Sequence, residues 1–274
     1  MGEIMNYKVM IFDIDGTLVD DDHNFSDRTK EAIKKLYDQG VILGLASGRT
    51  IGQLQQHAKE WGLEGYFKVL IALNGASLYD GINNKEYDFF RLKREWIKEI
   101  IEMMQVYKED AKCHIYNDEL TIFFKEDEDF RKYKMTGRKV IAAETIEEMC
   151  QYEVPKVLFK TTLEKSEEIE SYAKAHCTEN YEVVRTQPIY LEFVCRGCTK
   201  AYGLKYFCEH NNIDLKDVAS FGDTSNDNNM LEVSGLGVCL ANGSEDTKKI
   251  ADVVTKEDNN HDGLAKFIEE NLLS

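Results

Sequence analysis

The sequence predicts an α/β protein with a parallel-stranded core and an inserted α+β domain, and three observations predict it. Near the N-terminus, short apolar runs alternate with amphipathic helical patterns, which is typical of βαβ units. The same alternation returns from residue 204 onward. Between about residues 83 and 188, strand patterns occur in adjacent pairs among more aromatic and charged residues, as in an antiparallel sheet.

The first part of the core is predicted from alternating segments. Strands are expected at 8–12, 41–46 and 69–72, with helices at 27–39 and 51–61. Ser26 can cap the first helix, and Gly40 suits its left-handed C-cap. Because βαβ crossovers are right-handed, these strands are expected to lie parallel in one sheet.

The second part of the core follows the insert. A helix is expected around Leu204, followed by strands at 218–221 and 236–240, a short helix at 229–233 and a final helix at 263–273. One Rossmann-like sheet can be built from the two ends of the chain. We therefore expect a core domain of residues 1–82 and 190–274 and an α+β domain of residues 83–189.

Strand and helix patterns also fill the segment between these two ends. The predicted strands are 86–92, 114–116, 120–124, 156–160 and 190–194, and the predicted helices are 95–107 and 164–177. Paired strands with two helices favour an antiparallel sheet that is covered on one face.

The segment most informative about function is Asp13-Ile14-Asp15-Gly16-Thr17, which follows the apolar run 9–12. Ligands of parallel sheets bind outside the carboxyl ends of the strands, so both aspartates are expected at a site. An unpaired buried carboxylate is too costly to keep ionised, and a divalent cation together with a phosphate resolves that cost. The alternative interpretation is an exposed acidic turn.

Four loci together resemble the haloacid dehalogenase superfamily, whose signature is an Asp-x-Asp-x-Thr sequence after the first strand. The other loci are Ser47-Gly48-Arg49 after a strand-like run, Lys200 at the start of a helical pattern, and Gly-Asp-Thr-Ser-Asn-Asp at 222–227. Their order agrees with the family. Its Cof-type branch carries a large cap between the second and third motifs, so the resemblance implies a C2-type cap formed by residues 83–189.

The resemblance implies a phosphatase that forms an aspartyl-phosphate. Asp13 would be the nucleophile, and Asp15 would protonate the leaving alcohol and later activate water. Ser47 would donate to a phosphoryl oxygen, and Lys200 would neutralise developing charge. The further substrate contacts implied by the resemblance are Gly16, Thr17, Gly48, Asn74 and Asn226.

Mg2+ is the cofactor that the resemblance implies. Asp13 and Asp223 would be carboxylate ligands, Asp15 would offer its backbone carbonyl, and Asp227 would lie nearby, bound to the metal directly or through a water molecule. An all-oxygen ligand set suits Mg2+, which prefers octahedral coordination and keeps several waters. The cation also screens the repulsion between an anionic nucleophile and an anionic phosphate.

Composition excludes several classes of protein. The balance of 34 Lys plus Arg against 50 Asp plus Glu gives a net charge of -16, which argues against a nucleic-acid partner. No stretch approaches the roughly 18 consecutive apolar residues of a membrane span. The seven irregularly spaced cysteines are typical of a reducing cytosol. We therefore expect a soluble, cytoplasmic protein. The resemblance implies that it acts on a small phosphorylated metabolite, and we expect a monomer or weak homodimer.

Two other motifs are interpreted as having no part in the reaction. Cys195-Arg196-Gly197-Cys198 lacks the second pair that a zinc site needs, and it does not follow the first strand as a thioredoxin-like motif would. The basic stretch 131–139 is interpreted as a solvated face, with contact to an anionic substrate as the alternative.

Rival functions stay open at the level of sequence. A phosphomutase would share the aspartyl-phosphate step, and a non-catalytic ligand-binding protein on the same scaffold would be indicated by degraded motifs, whereas every core acid is present here. A dehalogenase is disfavoured, since that branch needs neither a second acid nor a metal. The substrate is not identified: sugar phosphates, pyridoxal phosphate and flavin mononucleotide all fit.

Overall fold

The computed structural model describes residues 7–117, 120–135 and 139–273. The chain divides into two compact units, called here the core unit (Met1–Phe89 with Thr199–Ser274) and the insert unit (Phe90–Cys198). Part of the basic stretch 131–139, residues 136–138, lies outside the described residues. Within the described ranges, every helix is too short or too polar to cross a membrane.

Strands and helices alternate along most of the chain. The strands are β1 (Val9–Phe12), β2 (Ile42–Ala46), β3 (Phe67–Ala72), β4 (Ser77–Asp80), β5 (Lys85–Asp88), β6 (Ala111–Asn117), β7 (Leu120–Phe124), β8 (Lys139–Ala143), β9 (Lys156–Thr161), β10 (Tyr181–Gln187), β11 (Tyr190–Cys195), β12 (Val218–Gly222), β13 (Leu236–Cys239) and β14 (Val253–Val254). The α-helices are α1 (Asp27–Asp38), α2 (Ile51–Glu60), α3 (Arg94–Met104), α4 (Glu128–Met135), α5 (Ile146–Met149), α6 (Ser166–His176), α7 (Lys200–His210), α8 (Asn228–Val233), α9 (Glu245–Ile250) and α10 (Gly263–Asn271).

The core unit is built on an eight-stranded sheet with the order β14-β13-β12-β1-β2-β3-β4-β5. Neighbouring strands from β14 to β3 are parallel, whereas β3, β4 and β5 pair antiparallel. The predicted α/β core, with one parallel sheet made from both ends of the chain, is therefore confirmed.

Burial on both faces explains why the first strand is uniformly apolar. Met10 and Phe12 of β1 pack into one apolar cluster, and Val9 and Ile11 pack into another. An interior parallel strand needs apolar side chains on both faces because helices cover each side of the sheet. The first polar residue of this segment, Asp13, accordingly comes directly after the strand.

Side-chain caps define where several core helices begin. Ser26 accepts from the backbone N–H of Thr29 at the start of α1, as predicted. Thr50 and Gln53 form a reciprocal capping box at the start of α2. Thr199 caps α7, so the residue that follows, Lys200, occupies the first turn of a helix with a fixed origin.

The insert unit contains a six-stranded sheet with the order β10-β11-β9-β6-β7-β8. Its pairs are antiparallel apart from β7 and β8, which are parallel. Apolar side chains of α3 and α6, including Ile97, Ile101 and Ile169, pack with the sheet in a separate core. The patterns of β8, β10, α4 and α5 were too short or too polar to predict an element.

Strand pairing places two segments differently from the predicted insert of residues 83–189. β5 lies inside that range but pairs with β4 in the core sheet, whereas β11 lies outside it and pairs with β9 and β10. The polar sequence of β5 suits an exposed edge strand. The local residue composition of a segment does not indicate which of two sheets its strand joins.

Candidate active site

Loops at the carboxyl ends of four neighbouring strands form the candidate active site. Asp13 follows β1, Ser47 follows β2, the turn Leu73–Gly75 follows β3 and Asp223 follows β12. These strands lie side by side in the order β12-β1-β2-β3, so the predicted motifs meet at one edge of the sheet. The backbone N–H of Asp13 donates to the carbonyl of Phe221 at 2.9 Å, which fixes the start of this loop.

A fully buried ammonium group joins two of the predicted acids. Lys200 Nζ lies 2.5 Å from Asp13 Oδ1 and 2.6 Å from Asp227 Oδ1, and its side chain has no exposed surface. Burial alone would lower the pKa of Lys200, but the carboxylates of Asp13 and Asp227 outweigh it and raise that pKa above its ordinary value. Lys200 is therefore a fixed positive charge beside Asp13.

Asp227 is held from both sides. While Oδ1 accepts from Lys200, Oδ2 accepts from the backbone N–H groups of Asp223 and Thr224, each at 3.1 Å. Gly222 makes room for this carboxylate, since a Cβ there would lie 2.4 Å from the carboxyl carbon of Asp227. Both carboxylate oxygens of Asp227 thus accept hydrogen bonds, and these bonds fix Asp227 relative to Lys200 and to the loop that carries Asp223.

Three buried carboxylates, Asp13, Asp223 and Asp227, have oxygen atoms within 4.8 Å of one another. Burial is the largest effect on Asp13 and raises its pKa well above the ordinary value, opposed by Lys200 and reinforced by Asp227 and Asp223. Burial and the carboxylate of Asp227 raise the pKa of Asp223 to about 7. A divalent cation beside Asp13 and Asp223 would offset this repulsion, so the donor set fits Mg2+.

Close approach of the first loop to Asp223 requires glycine. Gly16 has a φ of +76°, and a Cβ there would lie 2.4 Å from Asp223 Oδ2. Thr17 donates its hydroxyl to Asp223 Oδ1 at 3.3 Å. The Asp-x-Asp-Gly-Thr sequence therefore matches a loop that packs directly against the second acidic loop.

Asp15 lies in a different environment from Asp13. Its side chain is 49% exposed, and both of its oxygens accept from the guanidinium of Arg49, one of them at 2.9 Å from Nη2. His23 Nδ1 lies 3.4 Å from Asp15 Oδ1. Burial acts to raise the pKa of Asp15, but the hydrogen bonds and charge of Arg49 outweigh it and hold that pKa below its ordinary value.

The predicted substrate contacts that follow β2, β3 and β12 lie next to one another. They are Ser47, Gly48, Asn74 and Asn226. Ser47 is buried, and its Oγ accepts from Arg49 at 3.3 Å. The Asn226 side-chain amide donates to Asn74 Oδ1 at 3.4 Å. A Cβ on Gly48 would lie 3.4 Å from Nδ2 of Asn74, so these loops touch.

A second glycine permits the contact between the β3 turn and α7. Gly75 has a φ of +100°, and a Cβ there would lie 2.0 Å from the carbonyl oxygen of Thr199. The residue after Thr199 is Lys200, so this close approach sets the position of the buried ammonium relative to the turn that carries Asn74.

Three residues near the site had no predicted role. Arg49 was visible as part of Ser47-Gly48-Arg49, but nothing in the sequence indicates that it pairs with Asp15. His23 lies in a polar loop without a recognisable pattern. Asn259 donates to the carbonyl of Val19 at 3.2 Å and, through its backbone N–H, to Asn242 Oδ1 at 3.1 Å.

Comparison with known proteins finds haloacid dehalogenase-like hydrolases that match most of the chain. The family model described as haloacid dehalogenase-like hydrolase matches residues 10–268. The HMP-PP phosphatase of Serratia proteamaculans is 26% identical over 246 residues, covering 89% of this chain and 87% of that protein. The 5-amino-6-(5-phospho-D-ribitylamino)uracil phosphatase YcsE of Bacillus subtilis is 27% identical over 269 residues, covering 97% of this chain and 96% of that protein.

A solved structure agrees with these sequence relatives. The sugar phosphatase BT4131, of subclass IIB of the same superfamily, superposes with a TM-score of 0.78 at 26% identity, covering 96% of this chain and 98% of that chain. This superposition includes both the core unit and the insert unit, because it covers nearly all of each chain.

Proposed function

Since this chain belongs to the haloacid dehalogenase-like hydrolases and is a phosphatase acting on phosphomonoesters, we propose that it hydrolyses small phosphorylated metabolites in a Mg2+-dependent reaction through an aspartyl-phosphate on Asp13. The observation that carries the proposal is the buried Asp13 carboxylate at the sheet edge, beside Lys200 and two further acids. Sugar phosphates or similar phosphomonoesters are the proposed substrates, because relatives named for such compounds match over most of this chain.

The first step would transfer the phosphoryl group to the protein. An oxygen of Asp13 attacks phosphorus as the bond to the leaving alcohol oxygen breaks, and that oxygen takes a proton from Asp15. Lys200 and the hydroxyl of Ser47 would stabilise charge on the phosphoryl oxygens. Gly16, Thr17, Gly48, Asn74 and Asn226 are the further proposed substrate contacts.

The second step would restore the enzyme. A water molecule attacks phosphorus, the bond to Asp13 breaks, and Asp15 takes the proton that the water loses. The products are inorganic phosphate and the free Asp13 carboxylate. Asp15 is suited to exchange protons with substrate and water because its side chain is half exposed, whereas Asp13 is nearly enclosed.

Mg2+ would be held by Asp13, Asp223 and the backbone carbonyl of Asp15, and it would supply positive charge against the phosphate and the nucleophile. Asp227 would complete the metal site, directly or through a water molecule, and its hydrogen bonds would also orient Lys200 and the Asp223 loop. Chelator should abolish phosphate release, Mg2+ should restore it, and Ca2+ should inhibit because it favours looser, higher coordination. Full activity in excess chelator would contradict the metal requirement.

A panel of phosphorylated metabolites tests the function as a whole. Phosphate release would be measured for the wild type and for Asp13→Asn, with Mg2+ and with chelator. The expected result is metal-dependent release from a subset of small phosphomonoesters and a phosphoryl group trapped on Asp13 by mass spectrometry. Turnover that required a sugar bisphosphate would favour a phosphomutase, and release from no ester would exclude the phosphatase.

We also propose that the inserted domain, with the predicted bounds 83–189, acts as a C2-type cap that supplies specificity contacts to the leaving group. We further propose that the protein is cytoplasmic and is a monomer or weak homodimer. Hydrogen exchange with and without vanadate, a mimic of the transferring phosphoryl group, would test the cap. Protection on binding should extend into the insert, and protection confined to the core would overturn the cap assignment.

A further inference from the structure

The turn that follows β13, residues 242–244, contacts both acidic loops of the site. The side-chain amide of Asn242 donates to the carbonyl oxygen of Gly16 at 2.8 Å, in the loop after β1. Two residues later, the backbone N–H of Ser244 donates to the carbonyl oxygen of Asp223 at 2.8 Å, in the loop after β12. Three consecutive residues therefore connect the two loops that carry the proposed metal ligands.

Both ends of the Asn242 side chain form hydrogen bonds. While its amide nitrogen donates to Gly16, its Oδ1 accepts from the backbone N–H of Asn259 at 3.1 Å. Asn259 is itself bound to the loop after β1, because its side-chain amide donates to the carbonyl of Val19 at 3.2 Å and to Asp21 Oδ1 at 3.0 Å. A side-chain amide supplies the donor and the acceptor that these two partners require, whereas an ionised aspartate would supply only acceptors.

Gly16 needs this restraint because of its own conformation. Its φ of +76° and its close approach to Asp223 exclude a Cβ, so the position is restricted to glycine. Glycine is also the residue with the most backbone freedom, so the feature that lets the two loops approach leaves the first loop free to change conformation. The hydrogen bond from Asn242 fixes the Gly16 carbonyl and thereby the peptide that links Gly16 to Thr17.

The orientation of Gly16 affects the proposed metal site. The backbone carbonyl of Asp15, a proposed Mg2+ ligand, lies in the peptide on the N-terminal side of Gly16. On the other side, Thr17 donates its hydroxyl to Asp223 Oδ1 at 3.3 Å. A rotation of the backbone at Gly16 would therefore move the Asp15 carbonyl relative to Asp223, and Mg2+ tolerates little departure from octahedral geometry.

We propose that Asn242 is a positioning residue of the metal site, which acts on Mg2+ through the Gly16 peptide and keeps the two acidic loops at the spacing that the cation requires. The inference rests on the proposed function, because it assumes that Asp13, Asp223 and the Asp15 carbonyl bind Mg2+. It deepens that function by adding a residue that follows β13, a strand from which none of the proposed ligands comes.

Isothermal titration calorimetry with Mg2+ measures the effect without turnover. Asn242→Ala should raise the Kd for Mg2+ by about 3- to 10-fold, the factor that one hydrogen bond commonly contributes. Phosphate release should then need correspondingly more Mg2+ to reach half of its maximal rate. At saturating Mg2+, kcat should stay within about threefold of the wild type, since the catalytic groups remain in place.

Asn260→Ala is the matched control. The Asn260 side chain also makes two hydrogen bonds to the loop after β1, donating to Asp21 Oδ2 at 3.0 Å and accepting from the backbone N–H of Asp21 at 3.1 Å. Both bonds end on Asp21 and not on Gly16. Asn260→Ala should therefore leave the Kd for Mg2+ within about twofold of the wild type, which separates positioning of the metal site from a general loosening of the loop.

Several results would overturn the inference. An unchanged Kd for Mg2+ in Asn242→Ala, or an equal rise in Asn260→Ala, would show that the bond to Gly16 has no specific part in metal binding. A kcat at saturating Mg2+ that falls by more than about threefold would show that Asn242 acts on the reaction by another route. Should Asn242→Ala fail to fold, Asn242→Leu, which keeps the volume of the side chain without either hydrogen bond, takes its place.

Failure of the proposed function gives a different result. The wild type and both variants would then bind Mg2+ with the expected order of affinities but release phosphate from no ester, which would leave the positioning role standing and remove the phosphatase. A wild type that binds no Mg2+ in the calorimeter would overturn the metal site and the role of Asn242 together.

Discussion

Asp13 and Asp15 are separated by one residue and lie in opposite environments. The Asp13 side chain is 9% exposed and contacts a buried ammonium, whereas the Asp15 side chain is 49% exposed and contacts the partly exposed guanidinium of Arg49. Burial raises the pKa of Asp13, and Arg49 lowers the pKa of Asp15. Two identical side chains can therefore take two roles, because the enclosed one is screened from water and the open one can exchange protons with it.

The cost of removing a partner should differ between the two environments. In the buried cluster, loss of one charge leaves the others uncompensated in a medium that screens poorly. Around Asp15, water screens the same loss. The following predictions test this contrast, from the largest expected effect to the smallest.

Asp13→Asn should lower kcat by about four orders of magnitude or more, because it removes the proposed nucleophile. The fold should persist, since Asn has the same shape and Asp227 still pairs with Lys200. Phosphate release and circular dichroism check the two statements. Asp217→Asn, at an exposed ion pair with Lys8, is the control and should be fully active. Activity of Asp13→Asn within tenfold of the wild type would exclude the aspartyl-phosphate scheme.

Lys200→Met should lower the free energy of unfolding by about 3–5 kcal/mol in the absence of a divalent cation, because two buried carboxylates lose their counter-charge. Urea denaturation with chelator present measures the change. Lys8→Met removes the exposed counterpart and should leave the midpoint nearly unchanged, since the Lys8 side chain is 64% exposed. Similar midpoints for both variants would show that burial does not govern the cluster.

Stability without metal should fall as the pH rises between about 4 and 7. The pKa of Asp223 is raised to about 7 from an ordinary 3.8, so the folded protein keeps a proton that the unfolded chain has released. Stability then decreases with rising pH by up to about 1.4 kcal/mol per pH unit from this one group. Denaturation in chelator across this window measures the slope. Asp223→Asn should reduce it, and an unchanged slope would assign it to other groups.

His23→Ala should have the smallest effect, with kcat reduced less than about threefold, because an exposed partner at 3.4 Å adds little to the two bonds from Arg49. Steady-state phosphate release with glycerol phosphate checks this. A loss of tenfold or more would contradict this expectation and would show that His23 is needed at Asp15 in addition to Arg49.

The strand-end motifs were predictable because apolar strands and polar loops alternate so clearly. Asp13, Ser47 and Asp223 each follow a buried run, and the rule that ligands bind at the carboxyl ends of parallel strands brought them to one edge. The structure brings them there, and their individual roles stay proposals. Elements with weaker patterns, such as β4, β8 and β10, were not predicted, because a short or mixed strand looks like a loop until its partner is known.

The arrangement of charges within the site could not be predicted. Lys200 and Asp227 were both candidates, but the sequence does not indicate that the lysine lies between Asp13 and Asp227 with no exposed surface. Arg49 belongs to the recognised motif Ser47-Gly48-Arg49, but its ion pair with Asp15 was not predicted. Pairing between side chains depends on their rotamers and on which loops are in contact, and neither produces a periodic pattern in the sequence.

The sequence by itself determined the α/β core, the presence of an insert, the family and the order of the motifs, because hydrophobic periodicity and spacing are local properties of the chain. Only the tertiary structure decided that β5 joins the core sheet and β11 the insert sheet, and that Asp13 is enclosed while Asp15 is open. The physical reason is that burial and charge pairing arise between residues far apart in the chain. Lys200 and Asp13 show this most directly, because they are 187 positions apart in the sequence and their polar atoms lie 2.5 Å apart.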